Sequence, residues 1–523
     1  MKTKIVIVLL LLSGVMNAQK LSKRDLLKLE DADIDFEIGD FKRALAVYEN
    51  MLKIDSSLAD LNLKAGICYF NLRQPVKAGY YLEKARSMDE IEALFYLGQI
   101  YHLEERLDEE ISLYQTYLNS GRKIQQPVES VNRLIDQAKT AEELMEKPVK
   151  VDIVNAGATI NTEFHEYAPL VYGFGDEIFF TSRRPGSTGG LIDHRGEYFE
   201  DVYYSEMKYG FWQEPVQLGP NINTETHDAC VSISSDGRIL YVFRTSPDFV
   251  SGDLYQSEKG EDGWGPLEKL NKEINSDAIE TSASISADEK VIYFSSNREG
   301  GYGGMDLYRI IKLPNGEWSK ALNLGPTINT AYDEDSPFIH ADDKTLYFIS
   351  TGHKNMGGFD IFKSTLKENG FWTEPENMGY PINSLANDMN FVMSSDKLTG
   401  YYSSAAKGGY GGQDIYKINF RLEAKILSIV KGGVHADDTT HIPVSASITL
   451  IDKETKSIQG VYKSNPNTGK FVMVITPESY YQVIVEAEGF HTYSAELFFD
   501  HTIGFGSLIE EFKLVPLQVV SNE

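Results

Sequence analysis

Cysteine is nearly missing from this chain: two residues in 523, Cys68 and Cys230. That excludes a disulfide framework, and both read as small buried apolar side chains. Positive charge is also scarce, with 50 Lys and Arg against 77 Asp and Glu and a formal net charge of −27. Nucleic acid and anionic lipid both demand basic patches, so neither suits this chain as a partner. Past residue 12 no apolar run approaches the roughly 20 residues that span a bilayer. Catalytic signatures are absent too. There is no Gly-x-Ser-x-Gly elbow, no His-Glu-x-x-His, and no glycine-rich phosphate loop between a strand and a helix. The expectation is a protein that is not an enzyme and has no cofactor.

What is present begins with an export signal. Lys2 and Lys4 precede the apolar run Ile5 to Leu12, and small or polar residues lead to Ala18-Gln19. This pattern predicts a signal peptide over 1–18. No cysteine follows to carry a lipid, so the mature chain is expected to be soluble and periplasmic, associated peripherally with the outer membrane.

The longest organised stretch, 149–420, repeats one sentence five times. It opens with Ile-Asn-Thr/Ser, placing Asn161, Asn223, Asn275, Asn329 and Asn383 in register. It closes with Asp-x-Tyr/Phe, starting at Asp201, Asp253, Asp306, Asp360 and Asp414. All four tryptophans (Trp212, Trp264, Trp318 and Trp372) fall at one point of the unit. After a longer first copy the period is 52 to 54 residues, from Asn223 to Asn275, Asn329 and Asn383. Alternating runs such as Leu240 to Phe243 and Val291 to Phe294 have strand composition, and turns such as Asp236-Gly237 separate them. Each unit reads as a four-stranded antiparallel meander, so the expectation is a five-bladed β-propeller, or alternatively six blades. The last unit lacks a tryptophan strand. Val151 to Gly157 is expected to supply it, closing the ring and removing an open sheet edge.

Residues 20–147 are helical by apolar spacing and repeat at 34 and then 32 residues. Ala32, Gly66 and Gly98 correspond, as do Ala44 and Ala78; Glu110 breaks the second series. The pattern resembles the tetratricopeptide repeat, three copies with a capping helix near Val128 to Met145, which implies a groove for a peptide or partner. The alternative is a spacer or a dimerisation arm. Residues 423–516 are strand-rich, with Val444 to Ile451, Lys470 to Val474 and Tyr480 to Phe490. Their order resembles the carboxypeptidase-regulatory-like β-sandwich, which implies a non-catalytic module. A tail, 517–523, follows.

The most regular polar feature lies five residues after each motif asparagine: Glu166, Asp228, Glu280, Glu334 and Asp388. Two readings stand. These carboxylates could ring the mouth of a central channel and take a divalent cation such as calcium, or a basic peptide, or they could satisfy local backbone donors. His165 and His227 flank two of them, but Ile279, Asp333 and Asn387 occupy that position elsewhere, which argues against a symmetric metal cage.

The blade sentence, as in Ser286 to Gly300 and Gly303 to Tyr308, resembles the WD40-like (PD40) repeat of TolB-type propellers. The domain order is similar to that of the PorE-like periplasmic proteins of the type IX secretion and gliding apparatus. That resemblance implies a scaffold whose partner is a PorP/SprF-type outer-membrane barrel or another secretion component. PorE-like proteins continue into an OmpA-like domain that grips peptidoglycan; its Gly-His-Thr-Asp motif is not found here, so direct peptidoglycan binding is not expected. A periplasmic ligand or glycan sensor using the propeller mouth is the alternative, and a propeller-based hydrolase a remote one.

Overall fold

The computed structural model describes residues 21–172, 176–193, 196–247, 249, 251–420, 428–476, 479–499 and 508–517. The signal peptide expected over 1–18 and the tail expected over 517–523, apart from Leu517, lie outside the described residues. Residues 1–138 form one compact unit and 139–523 a second.

The helical unit is built from α1 (Lys23–Glu37), α2 (Phe41–Ile54), α3 (Ala59–Asn71), α4 (Pro75–Ser87), α5 (Ala93–Leu103) and α6 (Leu107–Leu118), and α7 (Val128–Glu146) begins within it. A Ser22–Asp25 capping box opens α1, Asp40 caps α2, and Pro75 sits in the first turn of α4, where its missing N–H costs nothing. Sequential helices from α1 to α6 pack against one another, a tetratricopeptide-like arrangement. The small residues are needed where helices touch. A Cβ on Gly66 would lie 2.6 Å from Leu82, and one on Gly98 would lie 2.5 Å from the Tyr114 ring. Ala44 and Ala78 are fully buried. Glu110, at the third equivalent position, is buried as well because His102 Nδ1 lies 2.8 Å from its carboxylate.

Between 151 and 420, five antiparallel sheets follow one another. The first holds Glu166–Val171, Glu177–Ser182, Asp201–Lys208 and Phe211–Trp212, with Val216–Gln217 beside the third strand. The second holds Asp228–Ile233, Ile239–Thr245, Gly252–Gly260 and Gly263–Trp264, with Glu268–Lys269 likewise alongside. The third runs Ala283–Ile285, Val291–Ser296, Asp306–Ile311 and Leu322–Asn323, and the fourth runs Glu334–Ile339, Thr345–Ser350, Asp360–Thr365 and Glu376–Asn377. The fifth holds Asp388–Met393, Thr399–Ser404 and Asp414–Phe420, and its outer strand is Val151–Asn155. That strand pairs antiparallel with Val151 opposite Phe420 and Asn155 opposite Tyr416. The first strands of the sheets touch in cyclic order, the fifth meeting the first, so the sheets are propeller-like blades.

The core lies between sheets, where alternate residues such as Phe180, Val242, Phe294 and Phe348 are fully or almost fully buried. Burying a side chain of that size contributes about 1.5–3 kcal/mol. Two tryptophans bridge sheets: Trp264 packs edge-on against Phe179 at 5.8 Å, and Trp372 against Tyr293 at 6.0 Å. Both cysteines are buried free thiols. Burial pushes the Cys68 thiol up to about 12, which keeps it unreactive.

The last residues form two further sheets. Lys470–Ile475, Ser428–Ala436 and Leu508–Leu514 make one, the last two strands running parallel. Ile458–Lys463, Ser447–Asp452, Ser479–Glu486 and Tyr493–Phe499 make the other. Their facing residues, among them Val434, Leu450, Val483 and Phe512, form one buried core. Lys463 Nζ, 2.7 Å from Glu289, and Asn465, donating to the Asp236 carbonyl, tie this module to turns of the third and second sheets.

Candidate functional site

Each motif asparagine sits in the link between two sheets and grips the sheet before it. Asn161 Oδ1 accepts the Ile415 N–H at 2.8 Å while its Nδ2 donates to the Ile415 carbonyl at 2.9 Å. Asn223 does the same to Val202, Asn275 to Leu254, Asn329 to Leu307 and Asn383 to Ile361. A side-chain amide thus stands in for a neighbouring strand. The sheets are latched together by one residue type, which explains its recurrence.

The five carboxylates do not open into a channel mouth. Glu166, Asp228, Glu280, Glu334 and Asp388 are each 0% exposed. Every one accepts the backbone N–H and the hydroxyl of the Thr or Ser four residues earlier, at 2.6–3.0 Å. A second-strand group completes each set: Ser182, Ser296, Ser350 and Ser404 hydroxyls, or Arg244 in the second sheet. Burial pushes Asp388 up to about 6. Carboxylates filled this way have little left for a cation or a basic peptide. Among the described residues no group of three or more His, Cys, Asp or Glu could hold a metal ion.

The Asp of the Asp-x-Tyr segment pins the glycine loop before it. Asp306 Oδ2 accepts from Tyr302 N at 2.7 Å and Oδ1 from Gly303 N at 3.1 Å; Asp360 and Asp414 repeat this with Met356 and Gly357, and with Tyr410 and Gly411. The loop lies directly on the link to the next sheet. A Cβ on Gly303 would stand 2.2 Å from the Tyr332 carbonyl, and one on Gly411 would stand 2.0 Å from that of Phe164. These loops are therefore held both by their own aspartate and by the link they rest on. The residue four before the Asp is Glu197, Phe249, Tyr302, Met356 and Tyr410 in order. Phe249, Tyr302 and Tyr410 are 48%, 50% and 54% exposed, whereas Met356 is buried.

The first sheet departs from the others because its copy is longer. Arg183 spreads its guanidinium over Glu197 and Asp193, both at 2.6 Å, with Glu200 at 4.0 Å. His165 faces Glu197 at 3.4 Å and His227 faces Glu200 at 2.9 Å. The His227 ring stacks on Phe199 at 4.0 Å, and Phe249 meets Phe199 edge-on at 5.3 Å. His165, through its hydrogen bond, holds Glu197 below the usual carboxylate range; burial opposes the same shift at Glu200, but His227 and Arg183 still pull it down. The sequence marks the two histidines and the extra length, but only the fold shows that the insert supplies their acidic partners.

A cleft of about 340 Å³ lies where the last module meets the first and second sheets, with Tyr172, Arg238, Lys463 and Phe471 on its walls. Its Arg238 is already paired with Glu258 and Asp236, and its Lys463 with Glu289.

No protein-family model matches the chain, and no curated protein does. Among solved structures it is similar to the first tetratricopeptide domain of Spaghetti (RPAP3) bound to an HSP90 peptide, at 16% identity over 24% of this chain and 98% of that one, TM-score 0.22. It is also similar to a glycoside hydrolase (11% identity, 55% of this chain and 98% of that one, TM-score 0.35). An α-L-arabinofuranosidase from Lactobacillus brevis gives 13% identity over 51% and 94%, TM-score 0.34. Likenesses this slight carry no argument about activity.

Proposed function

We propose that the chain is a non-catalytic binding protein that holds a neutral carbohydrate against the loop face of its propeller-like sheets. The observation that supports this is the set Phe249, Tyr302 and Tyr410. Three large aromatic side chains stand about half exposed at repeat-equivalent positions, two of them on pinned backbone. The fold does not require them, since Glu197 and Met356 fill the same position elsewhere. An aromatic face offers stacking area to the apolar side of a sugar ring, and a rigid mount lowers the entropy cost of binding. A net charge of −27 disfavours acidic polysaccharides. In this reading the five sheets are a five-bladed propeller, the last module is the carboxypeptidase-regulatory-like sandwich, and the protein works in the periplasm.

The test is calorimetric titration of the full mature chain with neutral oligosaccharides of four to six residues. Replacing Tyr302 and Tyr410 together by Ala is expected to weaken binding at least tenfold, about 1.4 kcal/mol, with no change in melting temperature. Unchanged affinity in the double variant, or no binding by any neutral glycan, ends the proposal.

A second reading, a scaffold for an outer-membrane secretion assembly with a PorP/SprF-type barrel as partner, is favoured by the helical unit. Val76 and Tyr80, one turn apart on α4, are 84% and 64% exposed. Cross-linked affinity purification from whole envelopes tests it; an eluate without any envelope protein counts against it.

A further inference from the structure

The Asp of the Asp-x-Tyr segment is closed differently in the first sheet. Where Asp306, Asp360 and Asp414 each receive a glycine N–H on Oδ1, Asp201 Oδ1 is buried and has no hydrogen-bond partner. Its other oxygen, Oδ2, accepts from Thr188 N at 2.7 Å, from Thr188 Oγ1 at 3.1 Å, and from the Gln217 side-chain amide. The residue preceding Thr188 supplies a second orphan: Ser187 Oγ is also buried and without a partner. Asp201 is 0% exposed and Ser187 5%. Thr188 is bonded to Asp201, so Ser187 is the chain neighbour of a residue that touches this carboxylate.

A buried carboxylate oxygen with no donor is costly, and so is a buried hydroxyl left open. Burial, against the Thr188 and Gln217 hydrogen bonds and with the Asp228 carboxylate adding to it, pushes the Asp201 carboxyl up to about 6. The second sheet shows what the position accepts. There the equivalent carboxylate, Asp253, is met by the Lys269 ammonium at 2.8 Å, a single positive charge carried by the protein itself. Gln217 stands where Lys269 does, beside the third strand of its own sheet, and brings no charge.

We infer that the first sheet holds one small monovalent cation, of sodium's size and hardness, on Asp201 Oδ1 and Ser187 Oγ. The ligand chemistry argues for that class. Carboxylate and hydroxyl oxygens suit hard cations, whereas transition metals favour imidazole or thiolate. One carboxylate balances one charge, and the site lacks the several acidic oxygens that calcium usually takes. The site is distinct from the carbohydrate surface proposed above and does not depend on it.

The test uses the full mature chain at pH 7.5. Its four tryptophans, Trp212, Trp264, Trp318 and Trp372, all lie in the propeller-like sheets, so tryptophan fluorescence reads the melting of that part alone. Sodium chloride replacing choline chloride at constant ionic strength is expected to raise the melting temperature by about 2–4 °C, the shift that about 1 kcal/mol gives in a body of this size. The rise is expected to vanish in Asp201→Asn and to shrink in Ser187→Ala, which keeps the carboxylate and all its donors. If Asp201→Asn does not fold, Ser187→Ala alone decides. An equal response in choline and sodium overturns the proposal, as does an undiminished rise in Ser187→Ala. A rise given by calcium but not by sodium overturns it too, as does a high-resolution structure of crystals grown in sodium chloride with only water at hydrogen-bonding distance from Asp201.

Discussion

In the third sheet both oxygens of Asp306 are filled by backbone N–H groups of its own glycine loop, and Asn323 adds a third donor at 2.7 Å. In the first sheet the same aspartate, Asp201, is met by Thr188 and Gln217 on one oxygen, and the other is left open. The first three strands of both sheets pair antiparallel in sequence order, and the main difference is the loop before the aspartate. A loop of Gly-Tyr-Gly-Gly type can curl back on its own carboxylate because a glycine fits against the next link, where Gly303 has the Tyr332 carbonyl at 2.2 Å from a would-be Cβ. The longer insert of the first copy gives up that closure and gains the Arg183, Glu197 and Glu200 network with the two histidines. Closure is what the fold needs; the opening is where this chain can differ from a plain repeat.

The sharpest way to break the contrast is to remove what both sheets share. Asn329→Ala deletes the latch on Leu307 and leaves its buried N–H unpaired while the carbonyl keeps the Leu324 N–H, so urea unfolding followed by tryptophan fluorescence is expected to show a loss of about 3 kcal/mol. Asn223→Ala, which unpairs the Val202 N–H in the first sheet, is expected to cost the same, and a much smaller loss there would mean that the insert carries load the repeat does not. Next comes the loop itself. Gly303→Ala drives a methyl into the Tyr332 carbonyl and is expected to cost about 2–3 kcal/mol, against about 1 kcal/mol for Gly190→Ala, which meets open space and suffers only its positive φ of 63°. Comparable losses would show that the insert is packed as tightly as the glycine loops.

A smaller effect concerns pH. Asp201 holds its proton more tightly in the folded chain than in the unfolded one, because burial raises its carboxyl to about 6. Its contribution is therefore greatest below about pH 4 and is lost as pH rises toward 6, a change on the order of 2 kcal/mol. In choline chloride the melting temperature of Asp201→Asn, measured against wild type from pH 4 to 7, is expected to lack that decline. A parallel decline in both would assign it to another buried carboxylate, such as Asp360, which burial raises to about 7. The smallest expected effect on stability is at the loop tips, where Tyr302→Ala and Tyr410→Ala change exposed surface and are expected to stay within about 0.5 kcal/mol.

Much of this was legible in the residues. The recurrence of Asn161, Asn223, Asn275, Asn329 and Asn383 announces a part used once per sheet, and the alignment of Ala32 with Gly66 and Gly98 announces close helix contacts. Periodicity names positions; it does not say which way a side chain turns. The acidic series left two readings open, a ring at a channel mouth or local backbone donors, and the second holds, since each carboxylate is drawn inward by a Thr or Ser one short turn upstream. Glu110 was visible as a departure from Ala44 and Ala78, and its reason came from His102, on the preceding helix. Nothing in the residue order ties Ser187 and Asp201 together, since the insert between them has no counterpart in the other copies.

The strand that completes the fifth sheet has a mechanical consequence. Val151 lies opposite Phe420, so the chain enters and leaves this strand pair at the same end. Tension applied across those two points loads the hydrogen bonds one after another, as a zipper is loaded, and not all at once in shear. Unzipping runs from Val151 to Asn155 and there meets a stop: Asn155 on the Asp414 carboxylate at 2.7 Å, backed by Asn161 on Ile415. The ring is thus closed by a clasp with a soft lip and a firm catch, and stretching the protein between residues 150 and 421 should release its lip at low force while the catch holds the remaining sheets together.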